Sequence, residues 1–170
     1  MIGITLPDGT VKQFESGSTP MDVAMSISEG LARNVISASF NDTKVETTTP
    51  LTTDGTLTLY TWRDDEGKQA FWHSSAHILA QALEELYPGI KLTIGPAIEN
   101  GFYYDVDLGD HTISEKDLPT IENKMLEIAR GKHTFTMRES SKAEALDFYK
   151  KQDNEYKVEL IENLEDGTIT

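Results

Sequence analysis

Two histidines four residues apart, in the run His73-Ser74-Ser75-Ala76-His77, are the sharpest chemical feature of this sequence. On a helix such residues stand one turn above each other, so both imidazoles reach one small volume. Imidazole titrates near neutral pH, which suits the pair to bind a polar substrate or to handle its protons. The same spacing supplies two ligands in His-Glu-x-x-His zinc sites. Here Ser74 stands where that motif has its glutamate, Glu84 lies two turns beyond His77, and the chain has no cysteine to complete a structural site. A pair of exposed or cleft-edge histidines without a role is the third reading. The missing glutamate and cysteine put the zinc reading below the other two, and spacing alone does not rank the substrate-binding pair above the inert one.

The element that must carry the pair is a long helix, predicted over Ala70 to Tyr87 and stopped by Pro88-Gly89. Trp72, Ala76, Leu79, Leu83 and Leu86 make its apolar stripe, widened by Phe71, Ile78 and Ala82. His73 and His77 lie about 120° round from the middle of that stripe, beside Ala80 and Glu84. The helix therefore does not bury them with its own core face, and the small Ala80 leaves room for an approaching group.

Two further stretches can bring chemistry to that helix. Ile94-Gly95-Pro96 through Asn100-Gly101-Phe102-Tyr103-Tyr104-Asp105 reads as a tight turn feeding an aromatic strand. Alternation puts Phe102 and Tyr104 on one face, and Tyr103 and Asp105 on the other. Tyr156-Lys157-Val158 sets a cation in an otherwise acidic tail. Arg130, Lys132, His133 and Arg138, then Lys142, Lys150 and Lys151, are interleaved with acids and read as solvated faces; His111 reads as a loop residue.

Around these residues the chain changes character near position 62. Twelve of the nineteen threonines fall in residues 1–62, and Arg63-Asp64-Asp65-Glu66-Gly67-Lys68 reads as a linker. Residues 1–62 give a hairpin (Ile2–Leu6 and Val11–Phe14 about Pro7-Asp8-Gly9-Thr10), a helix, then strands at Val35–Phe40 and Thr56–Tyr60. Thr19-Pro20 starts that helix, Met21, Ala24 and Ile27 share one face, and Gly30 ends it. Hairpin, helix and further strands in about sixty residues predict a β-grasp, ubiquitin-like domain. Residues 63–170 add strands near Lys91–Ile94 and Phe102–Asp107, a helix after Ser114 ending at Gly131, and a strand at Phe135–Arg138. Ser141 with Glu144 is a capping box for a helix to about Lys151. Asp153–Asn163 is ambiguous between helix and strand, and Asp166-Gly167-Thr-Ile-Thr170 reads as a turn and a strand start, as in a fragment. The fold class is α+β, a β-grasp domain at 1–62 followed by an α+β domain at 63–170, incomplete at its C-terminus.

The net charge of −14 argues against sequence-independent nucleic-acid binding, in which Lys and Arg neutralise phosphates. No apolar run approaches the roughly 18 residues of a membrane span, and the start Met1-Ile-Gly-Ile-Thr-Leu6 is unlike a signal peptide. The reading is of a cytoplasmic-type chain with no membrane partner.

Taken together, these motifs resemble the N-terminal region of bacterial threonyl-tRNA synthetases. Ile4-Thr5-Leu6-Pro7-Asp8-Gly9 and Ser18-Thr19-Pro20-Met21-Asp22-Val23-Ala24 are similar to the TGS domain of that family. His73-Ser74-Ser75-Ala76-His77, the Gly95 to Asp105 segment and Tyr156-Lys157-Val158 are similar to its editing domain, in the expected order. The resemblance implies hydrolysis of threonine tRNA mischarged with serine. One methylene contributes only about 1–3 kcal/mol of discrimination, so a synthetic site cannot exclude the smaller amino acid unaided. It further implies that His73 and His77 line the editing pocket and position the attacking water or the terminal ribose. Lys157 would contact the substrate and stabilise charge on the ester carbonyl, Tyr104 would form the wall, and Gly95 would allow close backbone approach. The family's second editing motif, Cys-x-x-x-His, is missing, as is the ligase core that uses ATP, magnesium and zinc; the residues present imply no cofactor or metal. The expectations are a homodimer for the whole ligase, no ligation by this chain, and weak or absent editing by it. A TGS-type regulatory module with an inert histidine helix, and a metal-dependent hydrolase, are the alternatives.

Overall fold

The computed structural model describes residues 1–131, 133, 138–165 and 168–169. The chain divides into two compact units, Met1–Trp72 and His73–Thr170.

In the first unit, β1 (Ile2–Thr5) and β2 (Val11–Phe14) pair antiparallel, Ile2 opposite Phe14 and Thr5 opposite Val11. Gly9 takes φ +83° in the connecting turn, a conformation L side chains rarely adopt. The predicted α1 (Pro20–Ile27) begins at Thr19, whose hydroxyl and main chain exchange hydrogen bonds with Asp22 in a capping box. Its buried residues are Pro20, Val23 and Ala24, with Ile27 40% exposed, so the Met21–Ala24–Ile27 face is corrected by a rotation of the stripe. Nor does Gly30 end the helix. Ser28 is extended and caps both the end of α1 and the start of α2 (Glu29–Asn34), which contains Gly30.

β3 (Val35–Phe40), β4 (Thr43–Val45) and β5 (Gly55–Thr61) complete a sheet of order β2-β1-β5-β3-β4. β1 and β5 run parallel at its centre, and every other pair is antiparallel. This is the β-grasp arrangement. Ile2, Ile4, Val23, Ala38, Leu51 and Leu57 form its core. Full burial of an aliphatic side chain contributes about 1.5–3 kcal/mol, and Ile4, Val23 and Leu57 are all at 0% exposure.

The stretch expected to be a linker is mostly helix, because α3 runs Asp65–Leu86. Asp64 accepts from the Thr61 amide at 2.7 Å and hydroxyl at 3.0 Å, turning the chain into the helix. Asp65 and Glu66 then oppose the positive end of the helix dipole. Gly67 is needed for contact rather than flexibility: a Cβ there would lie 2.0 Å from the Thr61 carbonyl oxygen.

In the second unit the predicted strands are shorter than their apolar runs. β6 (Lys91–Leu92) pairs with β9 (Val106–Asp107), and β7 (Ala97–Ile98) with β8 (Gly101–Phe102), making one interrupted antiparallel ribbon. Between the two pairs, Thr93 and Asp105 amides donate to the Asp105 and Ile94 carbonyls. α4 (Leu118–Arg130) ends at Gly131 as predicted, and Asp117 ahead of it accepts from the Ser114 amide and hydroxyl. α5 (Lys142–Lys151) has the predicted Ser141–Glu144 capping box. The ambiguous stretch is helical, α6 (Glu155–Glu162), capped by Asn154. Of the strand expected at Phe135–Arg138, residues 135–137 lie outside the described residues, and Arg138 has no regular structure. The turn at Asp166-Gly167 also lies outside them. β11 (Thr168–Ile169) pairs antiparallel with an upstream strand, β10 (Ser140–Ser141), a partner the sequence reading did not supply.

α3, the ribbon and α4 share one core of Ala80, Leu83, Ile90, Leu92 and Ile121, with Tyr104 packed against it. Lys124 on α4 bridges to Glu85 on α3 at 2.8 Å. His111 is a loop residue whose Nε2 lies 3.2 Å from the Pro88 carbonyl, just past the end of α3.

Candidate functional site

His73 and His77 face each other directly. Their Nε2 atoms are 3.1 Å apart, with the rings edge to face at 4.7 Å between centroids. Such a bond takes one proton, one nitrogen donating and the other accepting. Full protonation of both rings would set two donors against each other.

His77 opens onto a cavity of about 330 Å³ whose floor includes Ala80. That alanine is buried at 6% exposure, because it also packs into the core with Leu83, Ile90, Leu92 and Ile121. Lys157 comes from α6 and Tyr104 from the ribbon, so the cavity gathers residues far apart in the sequence. Gln81 and Glu84 continue the His77 face of α3, and Phe148 and Tyr149 come from α5. His73 adjoins the cavity through its bond to His77 rather than lining it.

Gly95 also acts through a neighbour. A Cβ on it would lie 2.1 Å from Tyr104 Cδ2, so its bare backbone makes room for the Tyr104 ring. Gly95 itself is not among the residues that line the cavity, and the close approach the structure shows there is to Tyr104. Alternation also holds, with Tyr103 and Asp105 exposed and Phe102 and Tyr104 half-buried.

The charges are tuned toward neutral forms. His77 is exposed on one side, and the partial burial of its ring in the cavity lowers its pKa, helped by His73 and the Lys157 ammonium. Burial also lowers that of Lys157, with Glu84 opposing. Lys157 occupies the third position of α6, where the positive end of the helix further disfavours a cation. Among the described residues, no hydrogen-bonding or ion-pair partner meets its ammonium. Tyr104 is pushed up by burial and by Glu84, so its phenol stays protonated. The result is a neutral imidazole, a weakly solvated cation and a phenol around a space sized for a small polar ligand. Such a set can hold a water molecule against an ester and stabilise negative charge on its carbonyl oxygen.

Among the described residues, no group of three or more His, Asp and Glu side chains is arranged to hold a metal. A larger hollow, of about 660 Å³, runs along α6. It is lined by Asp153, Glu155, Glu159 and Glu162 with Lys150, a set that repels anions and offers no imidazole. No described helix is long and apolar enough to cross a membrane.

The sequence places Glu84 beside the histidines, and Gln81 is reachable by the same four-residue spacing. Phe148, Tyr149, Gln152 and Asn154 carry no local signal, because only the α5–α6 packing brings them to the cavity.

Residues 2–61 match the family model described as the TGS domain. Over all 170 residues the chain is 70% identical to a threonine–tRNA ligase of Flavobacterium johnsoniae. Identity is 67% to that of Flavobacterium psychrophilum and 52% to that of Cytophaga hutchinsonii. Each match covers 100% of this chain and 26% of the relative, so the chain spans about a quarter of the length of these curated relatives.

Proposed function

We infer, for a chain that carries a TGS domain and aligns throughout with the N-terminal quarter of threonine–tRNA ligases, that its residues 63–170 serve the editing of mischarged tRNA. Residues 1–62 are the TGS domain of this division, and 63–170 the first part of an editing domain. The whole protein ligates threonine to its tRNA in the cytoplasm as a homodimer. ATP, magnesium and zinc belong to that reaction rather than to these residues.

The observation that carries the reading is the cavity in which His77, Lys157 and Tyr104 converge beside His73. The substrate is the seryl ester on the terminal ribose of threonine tRNA. His73 and His77 hold the attacking water or the ribose hydroxyls through their ring nitrogens. Lys157 meets the developing oxyanion; its burial makes each interaction stronger than it would be in water. Tyr104, kept in place by Gly95, closes the side of the pocket. Threonine escapes hydrolysis because its extra methyl does not fit.

The 170 residues alone deacylate slowly or not at all. They contain no cysteine, so the Cys-x-x-x-His motif of the family cannot come from them. Their charge of −14 gives a weak grip on phosphates, and the tRNA end must be delivered by other parts of the ligase. Seryl- and threonyl-tRNA hydrolysis by the whole ligase, with His73→Ala and His77→Ala variants, tests the reading. Selective loss of seryl-tRNA hydrolysis with ligation intact is expected. Unchanged hydrolysis in both variants overturns it.

A further inference from the structure

Three consecutive residues ahead of Lys157 fasten the start of α6 to the β6–β9 strand pair. Asn154 Nδ2 donates to the Leu92 carbonyl at 3.2 Å, and its Oδ1 accepts from the Lys157 amide at 3.1 Å. Glu155 meets Lys91 at 3.0 Å. Tyr156 Oη donates to Asp107 Oδ2 at 2.8 Å, while Asp107 Oδ1 accepts from the Gly109 amide at 2.9 Å. Neither Tyr156 nor Asp107 lines the histidine cavity.

These ties do different work. The Lys91–Glu155 pair is exposed and joins two long side chains, which makes it weak and yielding. Asn154 fixes where the helix starts. Tyr156 is the stiff one: it has two rotatable bonds, ends on a carboxylate held from its other oxygen by backbone, and so resists rotation of α6 about its axis. Successive helical residues point about 100° apart, so fixing Tyr156 fixes the direction of Lys157. An extended lysine ammonium lies roughly 8 Å from the helix axis, and a turn of about 10° moves it about 1.4 Å. A shift of about 1 Å can cost roughly 100-fold in rate.

We propose that Tyr156 and Asp107 are positioning residues, whose hydrogen bond sets the rotation of α6 and thereby aims the Lys157 ammonium into the cavity. This rests on the editing reading above and names two residues that reading does not use. Tyr156→Phe removes only the hydroxyl and keeps the ring. Asp107→Asn keeps one acceptor oxygen for two donors.

The test uses a threonine–tRNA ligase chain containing these residues, assayed for seryl-tRNA deacylation and for ligation. Tyr156→Phe is expected to lower the deacylation kcat about 10- to 100-fold, with KM within about twofold and ligation unchanged. Asp107→Asn is expected to lower it less, and the double variant to be no worse than Tyr156→Phe. In parallel, ¹³C-dimethylated Lys157 in the 170-residue chain reports its surroundings by NMR, and its signal is expected to move in Tyr156→Phe while thermal unfolding does not. Deacylation within about twofold of the parent with an unmoved Lys157 signal overturns the proposal. So does a loss confined to KM or shared with ligation, which marks a structural role. If Lys157→Ala leaves deacylation intact, the editing role of Lys157 fails instead, and the NMR signal still decides whether Tyr156 orients it.

Discussion

Replacing Gly95 with alanine tests whether the cavity wall is held by the absence of one carbon. The added Cβ would sit 2.1, 2.4 and 2.8 Å from Tyr104 Cδ2, Cε2 and Cγ, where carbon atoms ordinarily approach to about 3.5–4.0 Å. The ring must retreat by about 1.5 Å or the backbone must yield. Gly95 is not in the left-handed region, so alanine is conformationally permitted there and would by itself stabilise by about 0.4–1 kcal/mol through the unfolded chain. Overpacking costs about 1–3 kcal/mol, so the clash decides the sign and the variant is less stable. Both tryptophans, Trp62 and Trp72, lie in the first unit, and every tyrosine but Tyr60 lies in the second. Near-UV circular dichroism in the tyrosine band therefore follows the affected unit, and tryptophan fluorescence serves as the internal control. On the proposed editing function, seryl-tRNA deacylation is expected to fall about 100-fold if Tyr104 shifts by an ångström or more. The cycle with Tyr104→Ala isolates the contact: in that background Gly95→Ala becomes neutral or stabilising. An equal cost with and without the Tyr104 ring refutes the reasoning.

Gly67→Ala is expected to destabilise the first unit by 2 kcal/mol or more (roughly the upper range for overpacking), because the group it strikes is the Thr61 backbone and cannot rotate away; urea unfolding followed by tryptophan fluorescence checks this. For pH, His77 has a folded pKa below its ordinary 6.5, so the unfolded chain binds more protons just below pH 6.5, and stability falls as pH drops through that window. The urea midpoint of the parent should decline from about pH 7 to 5.5, and His77→Gln should flatten the decline; an unchanged slope excludes His77 as its source.

What could be read from the sequence was what local chemistry decides. The hairpin about Pro7-Asp8-Gly9-Thr10, the Thr19 and Ser141 capping boxes and the Gly131 stop all rest on residues within four positions of one another. The errors have physical causes. Asp64, Asp65 and Glu66 looked like linker because they are polar, yet at a helix start acidic residues are stabilised by the dipole. Ser28 ends one helix while starting another, a double role that leaves Gly30 as the stop a sequence pattern picks out. At the site, the facing of His73 and His77 followed from spacing, but convergence with Lys157 spans eighty positions and is decided by how α6 docks. The Gly95–Tyr104 contact is likewise invisible in the sequence, since a glycine before proline reads as a turn whatever it touches.

The pairing of β10 with β11 has a consequence for how the lysine arm behaves in time. Ser140 opposes Ile169 and Ser141 opposes Thr168, so this strand pair closes the arm of α5 and α6 at its two ends as a gate, while the Asn154, Glu155 and Tyr156 ties to the β6–β9 pair hold its middle. Ser141 is both a strand residue and the cap of α5, which makes the gate and the first turn of the arm one cooperative piece. Amide exchange should then show α5 and α6 opening together, as one sub-global unfolding event, ahead of α3. The imidazoles would belong to the slow-exchanging body and the ammonium to the fast-exchanging one, so the proposed site would be assembled only while the gate is shut.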